Sequence, residues 1–487
     1  MTARAIMLMG TGSDVGKSLI AAGLCRAFAD RGLRVRPFKP QNMSNNAAVT
    51  NDGGEIGRAQ ALQARAARVA ASVHMNPVLL KPETTTGAQV IVQGQRQASI
   101  TARDYFKARG AFMPAILDSF RRLAAGADLV IVEGAGSPGE INLRDGDLAN
   151  MGFAAAASVP ALLVGDIHRG GVIAAIAGTF AILPPDDRAR LKGFIINKFH
   201  GDASLFDEGR RLLEAETGTP CLGIVPYLAA ARKLPAEDAV ALEKSFASCG
   251  NGVHIIVIRL PRISNFDDFD PLRLEPGVRL TFLQEGEALP GDAKLVIIPG
   301  SKSTIADLAA LRRAGWDIDL AAHVRRGGHV LGLCGGYQML GRKVHDPQGL
   351  EGPAGSVSGL GLLDVETTLR PHKTLGQVIG THVASGASLT GYEIHLGVTA
   401  GPDCDRPFAL IGAKPDGAVS GDGRIAGTYL HGCFGSDGSR AAYIKSLGAA
   451  ASDLRFEQEV EGALDALAAH LAKHLDLDAI LCLAEPV

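Results

Sequence analysis

Two short runs of this chain carry residue types that do chemistry in company. The first is Gly10-Thr11-Gly12-Ser13-Asp14-Val15-Gly16-Lys17-Ser18, set between an apolar run and a helical one. Small residues ending in Gly-Lys-Ser suit a loop whose backbone N–H groups wrap phosphate oxygens. In that role Thr11, Gly12, Asp14, Val15 and Gly16 form the cradle. Lys17 supplies a point charge to the outer phosphates of ATP, and the Ser18 hydroxyl a ligand for Mg²⁺. Thr11 stands where the usual phosphate loop has its first glycine, with glycines on either side. The second run is Gly332-Leu333-Cys334-Gly335-Gly336, an apolar strand turning sharply into a helix. Such an elbow presents one side chain, and a cysteine at a helix N-terminus has a favoured thiolate. Downstream, Tyr429-Leu430-His431-Gly432 offers a histidine just after another strand. Cys334 and His431 brought together would make a nucleophile and its base.

Further acids and amides sit where such loops would need them. Glu133 ends the apolar run 129–132 and is followed by Gly-Ala-Gly-Ser. An acid at the carboxyl end of a parallel strand faces the ligand crevice, which makes Glu133 a candidate Mg²⁺ ligand. Asn197, after the strand-like run 193–196, either reads the nucleotide base or holds a turn. Glu55 is expected to open a helix after Gly53-Gly54, as a further metal ligand or as an acid complementing the helix dipole. Asp145 and Asp147 flank Gly146 ahead of an apolar helical run. Asp147 is either a helix N-cap or, with Asp145, a carboxylate working as acid, base or metal ligand near the phosphate.

These residues need a scaffold of strands and helices. Apolar runs at 5–9, 34–38, 89–92, 129–132, 161–164, 193–197 and 222–225 alternate with helical stretches at 17–30, 55–70, 105–124, 172–182 and 205–216. That alternation predicts a parallel sheet covered on both faces. The pattern loosens after residue 228 and resumes at 254–259, 294–298, 329–333 and 424–430. The expected organisation is α/β: a phosphate-loop domain over 1–235, a linker over 236–251, a second α/β domain over 252–440 and a helical extension over 441–487 that packs on the second domain.

Composition closes off several classes. With 49 Lys and Arg against 51 Asp and Glu, the net charge of −2 excludes a generally basic nucleic-acid binder. One Trp and 6 Tyr leave no aromatic platform for single strands. The cysteines are 7, odd in number and without a CxxC, so neither a disulfide framework nor a zinc knuckle is expected. No apolar run is long enough to span a membrane, the N-terminal residues read as a strand rather than a cleavable leader, and a cytoplasmic protein is expected.

The phosphate loop together with Val132-Glu133-Gly134-Ala135-Gly136 resembles dethiobiotin synthetase and the ATP-dependent amidases of cobalamin biosynthesis, which phosphorylate a carboxylate. Partition-type ATPases carry a second lysine five residues before the main one, where this chain has Gly12. The Cys334 elbow and His431 resemble a class I glutamine amidotransferase domain, and Pro299-Gly300-Ser301-Lys302-Ser303-Thr304 matches that family's oxyanion loop. The resemblance implies that backbone N–H groups at Gly300 and Gly335 receive the developing negative charge. Relatives that continue His-x-Glu orient the imidazole with that acid; here the position is Cys433, as in the cobalamin-type branch, where a Cys–His pair is expected to suffice. Lys39–Asn46, Asn76–Pro82, Ser137–Leu143, Asp166–Gly171 and Gly391–His395 extend the likeness to the cobalamin-type amidotransferases over roughly 4–440. It implies ATP, Mg²⁺ and glutamine as requirements and a corrinoid carboxylate as substrate, with no nucleic-acid or membrane partner. The expected reaction is amidation of the b, d, e and g propionates of adenosylcobyrinic acid a,c-diamide. Cobyrinic acid a,c-diamide synthase is the alternative within the family, and a nucleotide switch with a degenerate amidotransferase domain is the alternative outside it. Oligomeric state is left open.

Overall fold

The computed structural model describes residues 2–83, 87–235, 252–450 and 452–487; the linker expected at 236–251 lies outside them. The chain divides into two compact units. The first comprises Met1–Ser44, Thr50–Pro235 and Val460–Val487, and the second Asn45–Val49 with the segment ending at Glu459.

Six parallel strands form the centre of the first unit, in the order Cys221–Pro226, Leu191–Phe199, Ala161–Asp166, Arg4–Gly10, Leu129–Glu133, Val35–Phe38. The middle strands are almost wholly buried, as their unbroken apolar sequences require of a sheet covered on both faces. Helices Lys17–Asp30 and Val172–Ile182 form over the stretches the sequence predicts. The phosphate loop leaves Arg4–Gly10 between Leu129–Glu133 and Ala161–Asp166, at the carboxyl edge where open α/β sheets bind ligands.

Several expectations are corrected. The run 89–92 belongs to Gly87–Val92, which pairs antiparallel with Val78–Pro82 and Gln95–Thr101 in a separate four-stranded sheet. Gln93 and Gly94 both have positive φ, 47° and 79°, which makes a tight hairpin turn and not a crossover. Glu55 does not open a helix. It begins the strand Glu55–Gly57, and the helix is Arg58–Ala66. The stretch 105–124 divides into Ala102–Ala108 and Met113–Ala125, with Pro114 in the first turn of the second.

The largest correction concerns the C-terminal extension, expected on the second domain. Val460–Val487 belongs to the first unit. Glu485–Pro486 pairs antiparallel with Arg4 and Ala5. Helix Phe456–His474 brings Leu467 and Leu471 so close to Gly23 that a Cβ there would lie 2.5 Å from Leu471. Arg26, 1% exposed, donates to Glu461 at 2.6 Å and Asp465 at 3.0 Å. A buried guanidinium has to be paired, and its partners come from the far end of the chain.

The second unit contains a parallel sheet ordered Val278–Leu283, Val253–Ile258, Leu295–Ile298, His329–Leu333, Ile425–Thr428, with Ala418–Val419 antiparallel at the edge. A second sheet is built on the long hairpin Glu366–His382 and Ser388–Ala400, and includes Leu430–His431. Among the described residues no helix is long and apolar enough to cross a membrane.

Replacing both Glu461 and Asp465 by Ala should destabilise the first unit by about 3 kcal/mol, because it strands the Arg26 charge. Adding Arg26→Leu should recover part of the loss. Thermal unfolding of the three proteins checks this, and equal midpoints would refute it.

Candidate functional site

The phosphate loop is held in shape from below. Gly16 has φ 97° and precedes the helix beginning at Lys17. A Cβ at Gly16 would lie 2.2 Å from Asn197 Nδ2, so only glycine fits. Asn197, within strand Leu191–Phe199, donates that amide to the Val15 carbonyl at 2.8 Å. The side chain offered by the sequence for base recognition therefore braces the loop. Lys198 braces it too, donating to the Asp14 carbonyl and, at 2.9 Å, to Asp166. Lys17 Nζ donates to the carbonyls of Gly12 at 2.9 Å and Gly136 at 3.1 Å, joining the loop to the segment after Glu133.

Glu133 is 1% exposed and collects donors from three elements. Ser18 Oγ lies 2.8 Å from one carboxylate oxygen and Lys39 Nζ 2.8 Å from the same oxygen. Gln63 Nε2, 2.5 Å away, and Gln60 Nε2, 3.4 Å away, donate to the other. Ser18 and Glu133 thus place hard oxygen donors side by side, a set that fits Mg²⁺ completed by water and phosphate oxygens. Such an ion needs no protein cage, and among the described residues no group of three or more His, Cys, Asp or Glu forms one. Glu55 is buried in its strand with Lys81 Nζ 2.6 Å from its carboxylate.

Asp145 is exposed, and its carbonyl accepts from Arg109. Asp147 is not the N-cap; Asn150 holds that position before helix Met151–Ala156. Its carboxylate nevertheless accepts backbone N–H bonds from Ala149 at 2.8 Å, Asn150 at 3.1 Å and Gly152 at 2.9 Å. Asp147 and Asn150 both line a cavity of about 430 Å³ that also reaches Gly136.

The thiol centre lies in the second unit. Cys334 has φ 50° and ψ −107°, a conformation rare for a side-chain-bearing residue. The elbow is locked by close packing: a Cβ on Gly336 would lie 2.0 Å from the Ile298 carbonyl oxygen. The sulfur is buried and lies 3.6 Å from the Ile394 carbonyl. Gly335 N–H is the first of the helix and has no intrahelical acceptor. A Cβ on Gly300 would lie 3.1 Å from His431 Cε1, which brings the predicted oxyanion loop to the imidazole.

The sequence leaves the histidine's orienting acid unassigned and expects a Cys–His pair alone. Asp268 supplies it. Asp268 Oδ2 lies 2.7 Å from His431 Nδ1, and its other oxygen accepts from Gly432 N–H at 2.7 Å. Tyr392 stacks on the imidazole at 5.1 Å, and Asn265 donates to the Tyr392 hydroxyl at 2.8 Å. His431 Nε2 is buried and has no hydrogen-bond partner among the described residues. Burial alone would lower the His431 pKa, but Asp268, and then Cys334, outweigh it and raise it to about 10. The nearest motif that could have pointed to Asp268 is the acidic run Asp267-Asp268, which nothing in its spacing ties to His431.

Comparison with known proteins agrees with this division of labour. Residues 6–241 match the CobQ/CobB/MinD/ParA nucleotide binding domain, and residues 254–439 the CobB/CobQ-like glutamine amidotransferase domain. The chain is 60% identical to cobyric acid synthase of Jannaschia sp. over 98% of its length and 99% of that protein. It is 60% identical to the Cereibacter sphaeroides cobyric acid synthase, covering 99% of both chains. Against that of Paracoccus denitrificans it is 61% identical over 99% of both. The chain belongs to the cobyric acid synthase family, glutamine-dependent amidating ligases of cobalamin biosynthesis.

Asp268→Asn should cut glutaminase kcat by about 10²–10⁴-fold, since the imidazole loses the partner that fixes its tautomer. The sign of the pH effect follows from the raised pKa. The charged imidazole is favoured by the fold at all pH below its ordinary value, and that contribution is lost as pH rises toward 10. A glutaminase pH profile should show an alkaline limb near there, moved to lower pH by Asp268→Asn. An unmoved limb would exclude Asp268 as the orienting acid.

Proposed function

We propose that this member of the cobyric acid synthase family uses ATP and glutamine to amidate the b, d, e and g propionates of adenosylcobyrinic acid a,c-diamide, giving adenosylcobyric acid. The observation that carries the reading is the presence in one chain of a phosphate loop completed by Ser18 and Glu133 and of a Cys334–His431–Asp268 constellation. Identity of about 60% to cobyric acid synthases along the whole chain supports the a,c-diamide as this chain's substrate over the reaction that forms it.

In the first unit the chain binds ATP on the N–H groups of residues 11–16. Lys17 follows the charge that builds on the transferred phosphoryl group. Ser18 and Glu133 hold Mg²⁺, which neutralises phosphate charge when bound. The substrate carboxylate attacks the outer phosphorus, and ADP leaves an acyl phosphate. Asn197 acts as a positioning residue through Val15, and Asp147 through the backbone ahead of helix Met151–Ala156.

In the second unit Cys334 adds to the glutamine side-chain carbonyl. The oxyanion is received by Gly300 and Gly335 N–H groups. The imidazolium of His431, held by Asp268, protonates the leaving nitrogen, so ammonia departs and a glutamyl thioester remains. Water then hydrolyses the thioester to glutamate with His431 as base. Ammonia attacks the acyl phosphate, loses a proton and displaces inorganic phosphate.

Two variants separate the halves of this scheme. Cys334→Ser should abolish synthesis from glutamine while ammonium salts still support it, because the hydroxyl is a far weaker nucleophile. Lys17→Ala should abolish synthesis from either nitrogen source and leave basal glutaminase activity. Counting added amides by mass spectrometry on each candidate corrinoid checks both. Loss of ammonium-dependent synthesis in folded Cys334→Ser would refute the two-site scheme.

A further inference from the structure

The cavity beside Gly136 has a composition that the phosphate loop does not explain. Its volume of about 430 Å³ falls in the range of small-molecule sites. Its walls are largely apolar, with Leu80 and Ile100 inside. At its lining also stand two large apolar side chains left in solvent, Met43 at 60% and Phe106 at 48% exposure. One such residue on a surface is ordinary; two converging on one concavity mark a place where an apolar ligand lies.

A cation completes the lining. Arg109 sits 4.7 Å above the Phe106 ring. Its guanidinium donates to the carbonyls of Leu143, at 2.7 Å, and Asp145, and its Nε has no partner among the described residues. No carboxylate pairs with it among the described residues, so its charge is available to a ligand. Arg144, the other cation at the cavity, is already held by both oxygens of Asp187 at 2.6 and 3.0 Å. Asn150 adds a buried side-chain oxygen that no donor among the described residues meets. The lining also includes Ala135–Ser137, where the Gly136 carbonyl accepts from Lys17 at 3.1 Å. A carboxylate entering there would arrive beside the lysine that serves the outer phosphates.

We infer that this cavity receives the propionate-bearing edge of the corrinoid. In it Phe106 and Met43 lie against the apolar macrocycle, and Arg109 attracts the carboxylates at its rim. The inference rests on the corrinoid reading given above. A macrocycle with its side chains is larger than the cavity, so one edge enters and the remainder stays outside. The chemistry selected is an apolar body carrying several carboxylates, which neither glutamine nor ATP offers.

The test uses the full chain with cobyrinic acid a,c-diamide as probe, its binding read from corrin absorbance in equilibrium dialysis. Phe106→Ala and Arg109→Gln should each weaken binding by about tenfold and raise the corrinoid KM similarly. KM for ATP and glutaminase activity should stay within twofold, which also reports that the variants fold. Leu212→Ala, an exposed apolar residue that does not line the cavity, should bind like the unaltered protein. Unchanged corrinoid affinity in both cavity variants would overturn the site while leaving the reaction standing. Failure of the unaltered protein to bind or amidate any corrinoid would overturn the reaction and the site together.

Discussion

A carboxylate carried into a protein interior must be met by charge or hydrogen bonds, and Glu133 is met by four side chains. They come from three stretches of chain: Ser18 from the helix after the phosphate loop, Lys39 from just past the end of the neighbouring strand, Gln60 and Gln63 from helix Arg58–Ala66. The strand end, the loop and the flanking helix are therefore fixed relative to one another by one buried acid. Cys25, packed nearby, shows the same field from the other side. Its thiol pKa is driven upward by burial and by the charge of Glu133, which keeps it an inert filler of the core.

The thiol unit solves a different problem, that of holding a residue where its backbone would rather not be. The positive φ of Cys334 persists because Gly336 packs against the Ile298 carbonyl, with no room for the chain to relax. The imidazole is fixed on three sides, by Asp268 at Nδ1, by the Tyr392 ring and by Gly300 near Cε1. Nε2 alone of the ring nitrogens is left without a hydrogen-bond partner among the described residues.

What could be read from the sequence was what is local. The phosphate loop and the cysteine elbow each place glycine, strand and helix within a dozen residues, and spacing alone conveys their geometry. Helices Lys17–Asp30 and Val172–Ile182 were legible for the same reason. Asp268 was not, because it meets His431 across 163 residues and lies among other acids with nothing to distinguish it. Glu55 was misplaced by one element because Gly53-Gly54 signals a chain break without saying which element follows. The amphipathic pattern of 456–474 announces a helix that must bury one face, and no periodicity states which surface buries it.

That last helix has a consequence for how the molecule is made. Val487 N–H donates to the Ala3 carbonyl at 2.9 Å, and Glu485–Pro486 fills the edge beside Arg4 and Ala5. During synthesis the nucleotide unit therefore emerges early but waits, with Arg26 unpaired and Leu467 and Leu471 absent from Gly23, until the whole amidotransferase segment has left the ribosome. A nascent chain halted after the amidotransferase segment would leave the Arg26 charge without its anions and Gly23 without the leucines that cover it. Such a chain would be recognised by proteases as unfinished in its first half, not its second.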